Sequence, residues 1–237
     1  MIYCRKECRK NNRSTCFIWK EGISLRQIRT FSTDEALVNE RRTHIVNSAA
    51  DIFYEKGYHG TTLPEILKVC HMSAGAIYHY VGSKDDILYL VMVASVERVR
   101  KRLLMVKERC RNHSATDTLV EFIKELVRIE DDEQDSAIML NRDLINLDRG
   151  ARRILLDAHL YNIALIETIL QDGIKSAEFE IKDTFLVAHT IVQEANSWAL
   201  QRWYLRTRYT LTQFTNYLVE QTMKIVTSRD TQLASSN

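Results

Sequence analysis

The chain reads as all-α. Its 237 residues include one proline and seven glycines, well below average use of both. Sandwiches and barrels need more turn formers than that. Apolar residues instead recur at helical spacing, and short polar breaks with helix-capping residues separate the runs. With 45% hydrophobic residues the chain can bury a substantial core. No run of 18 apolar residues occurs, so no membrane span is expected. The charged Lys20-Glu21 pair breaks "FIWKEGISL", so a secretory signal is not expected either. Five irregularly spaced cysteines suit a reduced, cytoplasmic setting better than a disulfide framework.

Residues 1–33 carry eight Lys/Arg against two Glu, a net of +6, which leaves −4 for the remaining 204 residues of the +2 chain. The plain expectation for this segment is a disordered basic extension. A basic arm reaching a nucleic-acid backbone is one alternative. A site built on Cys4, Cys8 and Cys16 is another, though no CxxC pair supports it.

Regular pattern begins near Thr33. Ser32, Thr33 or Asp34 can cap a first helix, whose Ile45, Ala49, Ile52 and Phe53 share one face. Gly57 stands where a glycine ends a helix. Thr62 can cap a second helix, with Pro64 in its first turn. Ser73 can cap a third, over about 74–80, and Ser83 a fourth. The fourth helix keeps an apolar stripe from Leu88 to Leu103 and runs to about Arg109. Further helices are expected after "RNHSATD", after the acidic "EDDEQD" (a loop or a helix start), and over about 152–173, with a break at Gly150. The last two cover about 184–204 and 211–227, with Thr210 as a cap.

The second and third helices are short and joined by about three residues. That is helix-turn-helix spacing, whose second helix enters a DNA major groove about 12 Å wide. Only a small or polar helix face fits so close, and Ser73, Ala74, Gly75 and Ala76 supply one. Ile77 anchors the helix from inside. Tyr78 and His79 can donate to phosphates at the groove edge. Lys84 and the free N–H groups of the next helix start can hold another phosphate, and Thr61 and Thr62 play the same part for the second helix. An ordinary helical corner is the bland alternative.

The stretch "GYHGTTLPEILKVCHMSAGAIYHYVGSKDDIL" resembles the DNA-binding domain of TetR-family transcriptional regulators. The likeness spans about residues 40–90. It rests on Gly57-Tyr58, Thr61-Thr62, Ser73-x-Gly75-x-Ile77-Tyr78-x-Tyr80 and Ser83-Lys84-Asp85-x-Ile87-Leu88. It implies phosphate contacts at Thr62, Ser73, Tyr78, His79 and Lys84, and base-edge positions at Ala74, Gly75 and Ala76. Leu67, Cys70-His71 and Val81 depart from the family's usual Ala, Ala-Gly and Phe.

The resemblance further implies an N-terminal three-helix helix-turn-helix domain (34–88), a larger helical ligand-binding and dimerisation domain (89–228), and a tail (229–237). The last two helices are expected to pair with their twins in a homodimer on a palindromic operator, and Phe185, Leu211, Phe214, Leu218 and Ile225 are the interface candidates. Arg142, His159, Asn162, His189, Asn196 and Trp198 are polar groups on otherwise apolar faces, and so are candidates for a ligand pocket. A small apolar or amphipathic effector would suit it: a fatty acid, an acyl-CoA whose phosphates meet Arg142, Arg152 or Arg202, or an aromatic compound. No GxSxG, HExxH, P-loop or GxGxxG motif occurs, so no catalytic residues, metal or cofactor are expected. The function expected is a ligand-released repressor. An activator or ligand-independent regulator is the alternative, and a helical enzyme a remote one.

Overall fold

A computed structural model describes residues 28, 30, 31 and 34–227. Cys4, Cys8, Cys16 and the tail at 229–237 lie outside the described residues. Helix α1 (Glu35–Gly60) starts where Asp34 accepts the Leu37 N–H at 3.1 Å. Its regular path ends at Gly57, which sits at φ 70°, ψ 177°. A side chain would be strained there, and an added Cβ would come within 3.0 Å of Arg142 Nε.

Helices α2 (Leu63–Cys70), α3 (Ala74–Tyr78) and α4 (Lys84–Arg109) follow. Thr62 opens α2 with its N–H and hydroxyl both on the Glu65 carboxylate, at 2.8 and 2.7 Å. Ser73 caps α3 by accepting the Ala76 N–H at 3.2 Å, and Ser83 caps α4 by accepting that of Asp86 at 3.1 Å. The remaining elements are α5 (Ala115–Asp132), α6 (Gln134–Asp143), a 3-10 turn (Leu144–Asn146), α7 (Arg149–Lys175), α8 (Thr184–Leu200), α9 (Arg202–Leu205) and α10 (Leu211–Thr227).

Three boundaries differ from the sequence reading. Gly150 does not break α7: Asp148 caps that helix by accepting the N–H groups of Gly150 and Ala151 at 2.8 and 3.0 Å. A glycine costs little in a first turn held this way. The acidic "EDDEQD" run is helical on both sides of a hinge at Glu133 (φ −107°, ψ 24°). The helix from 184 stops at Leu200, because Gln201 (φ −113°, ψ 19°) turns the chain before the single turn of α9.

Two apolar cores form. The first holds Ile45, Ala49 and Phe53 of α1, Ile66 of α2, Ile77 of α3 and Ile87–Val93 of α4. Met139, Leu147, Ala151 and Leu155 from farther along the chain also join it. The second packs Leu103 and Val106 of α4 against α5, α7, α8 and α10. Helix α4 therefore runs through both, and α6 lies against α1. Ile28, from the segment read as a disordered extension, is buried in the first core. Its carbonyl accepts from the buried Arg42 guanidinium at 2.9 Å, and the same guanidinium reaches the Tyr80 carbonyl at 2.9 Å. A buried cation that needs two carbonyls explains why this short segment docks. Among the described residues, no helix is long and apolar enough to cross a membrane.

Candidate nucleic-acid interface and ligand cavity

The corner made by α2 and α3 is built from inside out. Ile66, Cys70 and Ile77 are buried, and they fix the angle between the two helices. His71 makes the turn possible by adopting the left-handed conformation (φ 51°, ψ 40°). With Ile77 inward, the opposite face of α3 is open. Ser73, Ala74, Gly75, Tyr78 and His79 are all exposed, and Ala76 is half-buried. Nothing lies within 4 Å of where a Cβ on Gly75 would stand. The face is small and clear enough for a base-pair edge to approach. Phe31 covers the far end of α3: its N–H donates to the His79 carbonyl at 3.1 Å, and its ring lies 5.8 Å from the His79 ring.

Two residues expected at phosphates have internal duties. Thr61 is only 1% exposed, and its hydroxyl donates to the Gly57 carbonyl at 2.7 Å. Its side chain is spent on closing α1, so it is withdrawn as a side-chain contact. Lys84 is half-buried, and its Nζ donates to the carbonyls of Tyr58 and Thr61, both at 2.9 Å. It also lies 4.0 Å over the Tyr58 ring. An ammonium has three donors, so one direction is left for a phosphate. Lys84 thus ties the α1–α2 turn to the start of α4. The Tyr58 hydroxyl donates to Asp85, and that bond pushes the phenol up to about 12. The Glu65 carboxyl is held down at about 2, first by its bond to Lys56 at 2.5 Å and then by Thr62.

The larger half holds a cavity of about 320 Å³, partly open to solvent, between α4, α5, α6, α7 and α8. Val99, Leu126, Leu140, Leu155 and Val192 are among the residues that make its walls apolar. Of the six sequence candidates, His159, Asn162 and Asn196 line it. The other three do not. Arg142 donates to the Phe53 carbonyl at 2.7 Å and pairs with Asp143 at 2.8 Å, so it clamps α6 to the end of α1. Trp198 is buried, donates to Asp131 at 2.8 Å and packs on Phe214, which makes it a core residue. His189 sits beside Phe185 and outside the lining. Burial, helped by the nearby His189, pushes the His159 imidazole below its ordinary value. Arg152 and Arg202 are absent from the lining as well.

Sequence reasoning missed Glu130. It lines the cavity, and burial pushes its carboxyl up to about 7. Its place in an acidic run disguised it as a solvated residue. The signal that could have found it is its spacing of four from Leu126 and eight from Phe122, both on the buried stripe of α5. A polar cluster was missed too. Ser95 and Ser136 line the cavity and are 3.2 Å apart. Ser136 shares a 2.8 Å hydrogen bond with the Tyr54 hydroxyl of α1. Arg98 joins the cluster and grips Glu133 through two bonds of 2.8 and 2.7 Å. The cavity wall is thereby wired to the helix that carries the α2–α3 corner.

The last described helices, α8 to α10, carry a set of exposed apolar side chains. Phe185, Leu186, Tyr217 and Ile225 are exposed on α8 and α10, and Trp203 is 77% exposed. Two interface candidates, Phe185 and Ile225, belong to it. Leu218 does not, because it is buried within the second core, and Leu211 and Phe214 pack partly against that same core. Among the described residues, no group of His, Cys, Asp and Glu could hold a metal ion.

Residues 45–89 match the family described as bacterial regulatory proteins, tetR family. Over 191 residues the chain is 26% identical to the HTH-type transcriptional regulator HbdR of Aromatoleum sp. (strain CIB), covering 81% of this chain and 82% of that relative. A tetR-family regulatory protein from Rhodococcus RHA1 has a solved structure with TM-score 0.71 at 22% identity, covering 81% of this chain and 99% of that one. The structure of AibR in complex with isovaleryl coenzyme A and operator DNA aligns with TM-score 0.65 at 17% identity, covering 76% and 97% of the two chains.

Proposed function

We propose, from the premise that the chain belongs to the TetR family of transcriptional regulators, that it acts as a homodimeric repressor released from DNA by a small, mainly apolar or amphipathic effector. The open face of α3 carries the reading. Ser73 to Ala76 are small or capped, Ile77 holds them from within, and Tyr78 and His79 stand exposed at the far end. In this reading Ala74, Gly75 and Ala76 lie along base edges. Thr62, Ser73, Tyr78, His79 and Lys84 meet phosphates.

One corner reads one half-site, so a palindrome needs two. The exposed apolar residues of α8 and α10 supply the surface that pairs them. The effector occupies the cavity, as the fold of AibR suggests by its own complex with isovaleryl coenzyme A. A ligand that fits better when the two corners stand farther apart shifts the population away from DNA. Helix α4, common to both cores, and the Tyr54–Ser136 bond are the routes for that shift.

The test is anisotropy binding of the full-length protein to the DNA flanking its own gene, with random DNA as competitor. The expected result is saturable binding that beats random DNA by at least about a thousandfold and weakens steeply with salt. Binding no better than to random DNA, there and among genome-wide selected fragments, would sink the reading. Sedimentation tests the pairing. Phe185→Glu with Ile225→Glu should give monomers that no longer hold the operator.

A further inference from the structure

Taking the cavity as the effector site, which rests on the function proposed above, we infer that it receives an uncharged, mainly apolar molecule bearing a hydroxyl group, and not a carboxylate or other anion. Three observations carry this. First, among the described residues no Lys or Arg lines the cavity. Arg98 is the cation held beside it, and that side chain is committed to Glu133. Second, two carboxyl groups, Glu130 and Glu133, do line it. Third, two lining residues each carry a buried oxygen that has no hydrogen-bond partner among the described residues, Glu130 Oε2 on α5 and Asn162 Oδ1 on α7, and a side-chain turn would bring either to the cavity.

Orphaned buried acceptors are costly, and a ligand that supplies the missing donor recovers that cost. A free carboxylate brings only acceptors, and it would lie among acceptors and carboxyl groups where the cation beside them, Arg98, is already paired with Glu133. An ammonium brings donors, but it must shed its water among Val99, Leu126 and Leu140. A hydroxyl donates and accepts without charge. It can therefore pair with Glu130 whether that carboxyl is protonated or not, and burial puts the titration near neutral pH. Burial disfavours the charged form of His159, which makes its imidazole a poor attractor for an anion. The terminal torsion of a glutamate is soft, so either carboxyl oxygen can turn to the ligand.

The experiment is calorimetric titration of the full-length protein at pH 7. The probes are 2-naphthol beside 2-methoxynaphthalene (the same rings without a donor) and 2-naphthoate, then 1-decanol beside decanoate, and isovaleryl coenzyme A. At least one hydroxyl compound should bind about tenfold or more tightly than its ether or carboxylate counterpart. Glu130→Leu should abolish that preference, with operator binding as the check that this variant is folded. The inference is overturned if a carboxylate or isovaleryl coenzyme A binds as tightly as the hydroxyl compounds. It is overturned as well if the preference survives in a folded Glu130→Leu, or if no hydroxyl compound binds. Salt-sensitive operator binding by the same preparation keeps the two failures apart. If it persists, the regulator stands and only the ligand class falls; if it is absent too, the regulator reading fails with it.

Discussion

In the α2–α3 corner, polar side chains find partners, most within a few residues and Lys84 across 23 and 26. Thr62 bonds Glu65, Ser73 caps its own helix, and Lys84 spans from the next helix to the turn it closes. Around the cavity, Ser95 and Ser136 also bond near neighbours, Tyr54 reaches Ser136 across a long stretch of chain, and Glu130 Oε2 and Asn162 Oδ1 find no partner among the described residues. In the corner each of these groups is met within the fold. Beside the cavity, two buried acceptors are not met by the described residues. Local bonds make stability, and unmet ones make room for a ligand to change it.

The harshest way to break the corner is Ile77→Ala. The side chain is fully buried, so its loss should cost about 2–5 kcal/mol. Thermal unfolding should show a drop of many degrees, with DNA binding lost at the same time. In the cavity half, Glu130→Gln tests the opposite sign. The carboxyl titrates near 7 in the fold against 4.5 for its ordinary value, so the folded state holds a proton that the unfolded chain releases between those values. Wild-type stability from this group is therefore full below about pH 4.5 and falls as pH rises through 7. Glu130→Gln should match wild type at pH 4 and exceed it at pH 8 by up to about 3 kcal/mol. Denaturation at the two pH values checks it.

Lys84→Ala sharpens the contrast within the corner. It removes the donor that two carbonyls share, so it should lower stability by about 1–3 kcal/mol and weaken DNA binding as well. Tyr78→Ala should separate those two effects. The side chain is exposed, so the melting temperature should hold while operator affinity falls about tenfold, near 1.4 kcal/mol. If Tyr78→Ala unfolds the protein, the corner is not the inside-anchored reader described. The smallest expected effect is that of Tyr54→Phe. Losing one hydroxyl from the wire between α1 and the cavity should cost about 0.5–1.5 kcal/mol. If a ligand in the cavity releases DNA as proposed, the change should also reduce that release, measured as the shift of operator affinity at saturating ligand.

Much of the corner was legible in the chain, because its determinants are short-range. Gly57, Thr62, Pro64, Ser73 and Ser83 each act on the helix end beside them, and a cap or a positive φ is a property of a few consecutive residues. Apolar periodicity likewise placed the inward faces of α1, α4 and α5. Thr61 and Lys84 show the limit: both sit in the right local pattern, and only the packing of α1 against α4 turned their polar groups inward. The cavity was beyond local reasoning. Glu130 in an acidic run, Arg142 and Trp198 on apolar faces, and Leu218 on an exposed-looking stripe all carry ambiguous spacing. Which of them meets the cavity, the core or another helix depends on how five helices are rotated about their axes. That rotation is set by side chains tens of residues apart. The sequence by itself determined the helices, their caps and the small face of the reading helix. The tertiary structure alone decided which polar groups were left without partners, because an orphaned acceptor is defined by what every neighbouring helix fails to supply.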